Sequence, residues 1–155
     1  MAVNSAGIIV YRKSGIILEI LLVHPGGPFW AGKDAHAWSI PKGEFRPPED
    51  AFLAARREFR EETGMQIEGE FIEMEPVRQP GGKIIYSWAI EKNIDIRPLR
   101  SNTFTMEWPP HSNKLQDFPE IDKAAWFSVN IAKNKVHKGQ VRIIENLLSK
   151  LGLKE

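Results

Sequence analysis

Cysteine is absent from the 155 residues. That excludes disulfides, cysteine nucleophiles and thiolate metal sites, and it fits a reducing compartment. No apolar run approaches the roughly 18 residues of a membrane span. The opening MAVNSAGIIVYRK lacks the long apolar core of a secretory signal. Net charge is nearly absent too. Lysine and arginine total 21 against 20 aspartates and glutamates, which leaves +1 at pH 7, so no global field points to nucleic acid or an acidic membrane. Internal repeats and low-complexity stretches are also missing. The remainder is 42% hydrophobic and 26% charged, the balance of an ordinary folded chain about one domain long. The expectation is a cytoplasmic single domain over residues 1–155, monomer or homodimer, with no membrane or nucleic-acid partner.

Local patterns divide the chain. Residues 3–12 and 16–24 are apolar, β-branched runs around Lys13-Ser14-Gly15, which predicts a β-hairpin. The glycines and prolines of residues 24–33 predict a loop. A short strand at 37–40 runs into Pro41-Lys42-Gly43. Pro47-Pro48 then precedes a helix over 50–63, with Glu49 or Asp50 as its cap and Gly64 as its terminator. Strands are predicted at 66–75 and 83–92, joined by Arg78-Gln79-Pro80-Gly81-Gly82. Residues 101–120 read as a long polar loop without regular structure, of the kind that usually serves function. A last strand is expected at 123–128 and a closing helix at 139–151.

The helix over 50–63 carries the chemistry. Counting 100° per residue puts Phe52 and Phe59, with Ala55 near their edge, on a buried stripe. Glu58, Glu61 and Glu62 share a side with Ala51 and Ala54, which predicts a carboxylate face open to close approach. Glu58 lies three residues from Glu61 and four from Glu62, so the three are neighbours, and each like-charge pair costs roughly 0.2–0.5 kcal/mol. A hard divalent cation reverses that cost, because Mg²⁺ takes carboxylate and phosphate oxygens. The bland alternative is a solvated face, but such faces usually mix lysine with glutamate. Here Arg56, Arg57 and Arg60 lie on the flank.

Residues 43 to 65, GEFRPPEDAFLAARREFREETGM, match G-x5-E-x7-R-E-U-x-E-E-x-G-U position for position, with U a bulky apolar residue. Gly43, Glu49, Arg57, Glu58, Glu61, Glu62 and Gly64 take the fixed places. Phe59 and Met65 take the apolar ones, Phe59 being aromatic where an aliphatic residue is usual. The stretch resembles the signature of the Nudix hydrolases, over 23 of 155 residues.

The resemblance implies an α+β fold, an α/β/α sandwich around a mixed β-sheet. It also implies Mg²⁺-dependent hydrolysis (Mn²⁺ as a substitute) of a diphosphate linkage in a small nucleotide. By the same resemblance Glu58, Glu61 and Glu62 bind metal, the Gly43 carbonyl is a further ligand, and Glu49 and Arg57 hold the loop to the helix. The general base comes either from the box, as Glu58, or from a later loop, as Glu120; Glu44 is an outer candidate ligand. Pro41-Lys42-Gly43 resembles the approach in members that cleave dinucleoside or inositol polyphosphates, with Lys42 a phosphate contact. Further substrate candidates are Arg78 and Lys83 around Gly81-Gly82, and Trp108 and His111 in the long loop. Trp30, Phe104 or Trp108 are candidates to stack on a base. His24, His36 and His137 lack metal-ligand spacing. The leading expectation is cleavage of a dinucleoside polyphosphate such as diadenosine tetraphosphate. The alternatives are a MutT-type nucleoside triphosphate pyrophosphohydrolase releasing pyrophosphate, and a non-catalytic nucleotide-binding module. Intact box carboxylates favour an enzyme over the last.

Overall fold

The first two apolar runs form the spine of the fold. In the computed structural model, which describes residues 3–153, β1 (Ser5–Ser14) and β2 (Ile17–Pro25) pair antiparallel through a turn at Gly15. A short strand β3 (Lys42–Glu44) and helix α1 (Ala51–Thr63) follow. Next come β4 (Ile72–Glu73), β5 (Val77–Arg78) and β6 (Ile84–Glu91). The hairpin β7 (Thr103–Glu107) and β8 (Leu115–Pro119) leads into β9 (Ile121–Ser128), α2 (Val129–Lys135), a 3-10 turn (Lys138–Gln140) and α3 (Val141–Lys150).

Seven strands make one mixed sheet among the described residues, in the order β4-β6-β1-β2-β9, with β3 beside β1 and β5 beside β6. The β1–β6 pair is parallel and the others are antiparallel. Alternation along β1 sorts the two faces. Ala6, Ile8 and Val10 pack with Ala54, Ala55 and Phe59 of α1. Ile9 and Tyr11 pack on the opposite face with Ile143, Ile144 and Leu147 of α3. The result is an α/β/α sandwich, and no helix among the described residues is long and apolar enough to cross a membrane.

Two local devices place the site. Asp50 caps α1 by accepting from Leu53 N at 3.1 Å, and Gly64, at φ 75°, ends it with a bond to the Arg60 carbonyl. Gly7 lets β1 run against Pro41-Lys42: a Cβ there would stand 2.5 Å from Lys42 Cβ and 2.7 Å from the Pro41 oxygen. The adjoining bond from Ile8 N to the Pro41 carbonyl, 3.0 Å, fixes β3 over the C-terminal half of α1.

Several sequence expectations are corrected. The segment 66–75 yields only the two-residue β4, because Gly69 at φ 143° and the paired Glu68 break it. Residues 37–40 contribute isolated bridges rather than a strand. The long loop is instead the β7–β8 hairpin, with Phe104 across from Phe118 and the tip closed by Glu107, which accepts from His111 N and Asn113 N. Helix α2 is an addition. The helix faces also differ: Ala54 and Glu58 point at the sheet, and both are buried, whereas Phe52 lies at the flank against Phe71 and Trp88.

Phe59 is fully buried and Leu53 is 59% exposed on the same helix. Phe59→Ala is expected to lower stability by about 3–5 kcal/mol. Leu53→Ala is expected to change it by no more than about 0.5 kcal/mol. Urea denaturation of the two variants checks the assignment of faces; equal losses would contradict it.

Candidate active site

The site begins with one arginine. Arg57 grips Glu49 with two bonds, Nε to Oε2 at 2.7 Å and Nη2 to Oε1 at 3.0 Å. Its Nη1 donates to Glu58 at 2.9 Å and to Glu61 at 2.8 Å. One planar cation therefore ties the loop before α1 to two carboxylates of the helix, using the fork geometry that suits arginine. These hydrogen bonds hold the Glu49 carboxyl below its ordinary pKa and push the Arg57 guanidinium well above its own.

Glu58 lies against Gly43. A Cβ at Gly43 would stand 2.0 Å from the Glu58 carboxyl carbon, so glycine is required for β3 and α1 to approach this closely. Burial, then Glu61, pushes the Glu58 carboxyl up. One turn on, Glu62 has its Oε1 buried with no hydrogen-bond partner. Its pKa is pushed up to about 8, first by burial and then by Glu58, against the opposing effect of Lys42.

A fourth carboxylate arrives from the other end of the chain. Asn102 N donates to the Glu61 carbonyl at 2.8 Å, and Glu120 N donates to the Asn102 carbonyl at 2.8 Å. Gly26 N donates to the Glu120 carbonyl at 2.8 Å, and a Cβ at Gly26 would stand 2.0 Å from the Pro119 oxygen. The base of the β7–β8 hairpin is thereby sewn to the end of α1. Glu120, half-buried, has its pKa raised by burial and then by Glu61, and it acts in turn on Glu58 and Glu62. Nearby, buried His24 joins Asp122 at 2.8 Å and the Lys33 carbonyl at 2.6 Å, which anchors the start of β9.

Four mutually repelling carboxylates and an unpartnered buried oxygen are a donor set that fits a hard divalent cation. Among the described residues no three acids or histidines already converge with ligand geometry, because Arg57 engages Glu58 and Glu61. A cation here would compete with Arg57 for Glu58 and Glu61.

The substrate candidates divide. Lys42 is half-buried beside the cluster and within electrostatic reach of Glu62, Glu44 and Glu58. Lys83 neighbours Lys42 and stands 3.5 Å from Glu44. Arg78 is exposed and turns back to the Gly82 carbonyl at 3.3 Å. Trp108 and His111 sit at the hairpin tip, about 17 Å along β7 from its base at roughly 3.4 Å per residue. There Trp108 packs on Phe29. Phe104 closes over Gly27, and Trp30 packs on His137. Asn102, the His24–Asp122 pair and Gln140 were not found from sequence. Gln140 is buried and binds Ile40 N and Ser39 Oγ, each at 3.0 Å, which steadies the approach to Lys42. No local pattern signals any of them, since their partners are distant in the chain.

Two outcomes follow from this geometry. Gly43→Ala must displace the Glu58 carboxylate, so metal affinity by titration calorimetry should fall on the order of 10–100-fold with folding retained; unchanged affinity would contradict the contact. Glu62 holds its proton below about pH 8, and a metal takes only the ionised form. Apparent metal affinity should therefore rise with pH up to about 8 and level off above it, with proton uptake by the buffer on binding near pH 7. An affinity independent of pH between 6 and 8 would contradict the raised pKa.

Comparison with known proteins places this arrangement. The NUDIX domain model matches residues 1–147. The asymmetrical bis(5'-nucleosyl)-tetraphosphatase of Caenorhabditis elegans is 38% identical over 68 residues, 44% of this chain and 45% of that enzyme, so the aligned part spans under half of that relative's length. The mouse enzyme of the same name is 32% identical over 112 residues, 63% of this chain and 72% of its own. A crystal structure of C. elegans Ap4A hydrolase in a binary complex superposes with a TM-score of 0.64 at 21% identity, covering 97% of this chain and 98% of that one. The NUDIX domain of Shewanella oneidensis NrtR, with ADP ribose, gives 0.65 at 13%, covering 97% and 89%. The two superpositions show a shared fold. With the family model spanning nearly the whole chain and the box carboxylates gathered as described, the chain belongs to the Nudix family.

Proposed function

We propose that this chain is a divalent-metal-dependent hydrolase of dinucleoside polyphosphates, with diadenosine tetraphosphate as its leading substrate and the cytoplasm as its compartment. One observation carries the reading: Glu58, Glu61, Glu62 and Glu120, from two distant parts of the chain, are held together with one buried oxygen unpartnered. The names of the nematode and mouse relatives support the choice of substrate.

In this reading Glu58, Glu61, Glu62 and the Gly43 carbonyl hold the cation, Mg²⁺ with Mn²⁺ as a substitute. When bound, that ion neutralises the phosphates and makes water acidic enough to attack at neutral pH. Glu120 takes the water proton. Its pKa is raised, and no hydrogen bond to its carboxyl is present among the described residues, whereas Glu58 is engaged by Arg57. The water oxygen forms a bond to phosphorus as the bridging P–O bond breaks, and the leaving phosphate departs with the bridging oxygen. Lys42 orients the phosphates as a point charge, and the Arg57–Glu49 pair keeps the loop and helix in register.

Diadenosine tetraphosphate with Mg²⁺ should give AMP and ATP, identified by mass. Glu62→Gln should abolish turnover. Glu120→Gln should lose about 10²–10⁴-fold in rate while keeping metal affinity. Turnover confined to mononucleoside triphosphates with release of pyrophosphate would overturn the substrate. Equal rates for wild type and Glu62→Gln would overturn the site.

A further inference from the structure

Lys42, which neighbours the glutamates, also lines a shallow, open cleft of about 410 Å³ between the β5–β6 connection and the α2–α3 connection, together with Gln79, His137, Lys138 and Gln140. That volume lies within the range of small-molecule sites. Lys42 is within electrostatic reach of Lys83 and His137 as well as of Glu62. Acids and nitrogen bases therefore both neighbour Lys42: Lys83 pairs with Glu44 at 3.5 Å, and burial, then Lys42, holds the His137 imidazole below its ordinary pKa.

The cleft is built rather than incidental. Its α2–α3 wall is tied to the strand leading to Lys42 by the two bonds of buried Gln140, to Ile40 N and Ser39 Oγ. His137 N donates to the Trp38 carbonyl at 2.9 Å, and the His137 ring is set edge-on against Trp30 at 5.5 Å. Gly139 brings this wall against Gln79: a Cβ there would meet Gln79 Nε2 at 2.6 Å. Lys138 is exposed, with no ion-pair partner among the described residues. Past Lys138 the cleft continues into a depression of about 720 Å³ that also carries Arg78 and Arg142, set against Glu75 and Glu145.

Two lysines, Lys42 and the exposed Lys138, on walls tied by hydrogen bonds suit a multiply charged anion, because cations sharing a cleft focus field on one. Because Lys42 also neighbours Glu62, that anion is part of the substrate. We infer that this cleft is the subsite for the phosphates of a polyphosphate chain that lie beyond the carboxylate cluster, with Lys138 and His137 favouring long chains over short ones. The inference rests on the proposed nucleotide hydrolysis. The chain runs from the glutamates past Lys42, and its outer phosphates meet Lys138. A nucleotide with only two phosphates ends before it.

Two measurements test this. Binding of inorganic tripolyphosphate, read by calorimetry with Mg²⁺ present, should weaken about tenfold in Lys138→Ala and further in Lys138→Glu, with His137→Ala as an independent second variant. Lys138 is exposed, so its variants should keep the wild-type urea midpoint. In turnover, kcat/KM for diadenosine tetraphosphate should fall about tenfold in Lys138→Ala, while the affinity for ADP, read by calorimetry with Mg²⁺ present, changes less than twofold. Equal tripolyphosphate affinity in all variants, or equal losses with both nucleotides, would overturn the subsite. A wild type that binds tripolyphosphate through Lys138 yet hydrolyses no nucleotide would sustain the subsite and overturn the proposed activity instead.

Discussion

The grip of Arg57 on Glu49, Glu58 and Glu61 is the interaction on which the site depends. Three carboxylates meet one guanidinium, so the cation both docks the loop before α1 and offsets repulsion on the helix. The offset is incomplete. Glu62, one turn further, lies beyond its reach and keeps an unpartnered buried oxygen. The close contact of Gly43 with Glu58 belongs to the same construction, because it presses β3 onto the carboxylates and brings Lys42 alongside.

Around that junction the fold distributes charge by position. The sheet supplies the floor through β1 and β3, and α1 supplies the acids. The base of the β7–β8 hairpin adds Glu120 through backbone bonds alone, by way of Asn102 and Gly26. The α2–α3 connection supplies His137 and Lys138, which share a cleft with Lys42. A polyanion reaching from the carboxylates along that cleft would meet Lys42 and then Lys138, which ties cleavage to chain length.

Helix α1 was legible because its determinants are local: Asp50 as cap, Gly64 as terminator, and glutamates at helical spacing. The box residues were legible for the same reason. The direction of the carboxylate face was not. Counting 100° per residue orders the side chains around the axis but does not say where the sheet lies. The small Ala54 beside the glutamates marks the approach of the sheet rather than room for a ligand. The β7–β8 hairpin was hidden by polar strands and prolines, and its length sets Trp108 and His111 at its tip, where Trp108 meets Phe29. Gln140, Asn102 and the His24–Asp122 pair are tertiary, the last joining residues 98 apart, so no window along the chain reveals them.

The central claim is that the fold holds these carboxylates together at a cost that a bound cation removes. Because burial and Glu58 raise the Glu62 pKa to about 8, its contribution to stability is fully present below its unfolded value near 4.5. That contribution is lost as pH rises toward 8. The most direct measurement is the urea stability of metal-free wild type and Glu62→Gln between pH 6 and pH 9, repeated with saturating Mg²⁺. Wild type should lose stability relative to Glu62→Gln as pH rises to about 8, and Mg²⁺ should restore wild type alone. A constant difference across that range, with Mg²⁺ acting equally on both proteins, would contradict the claim.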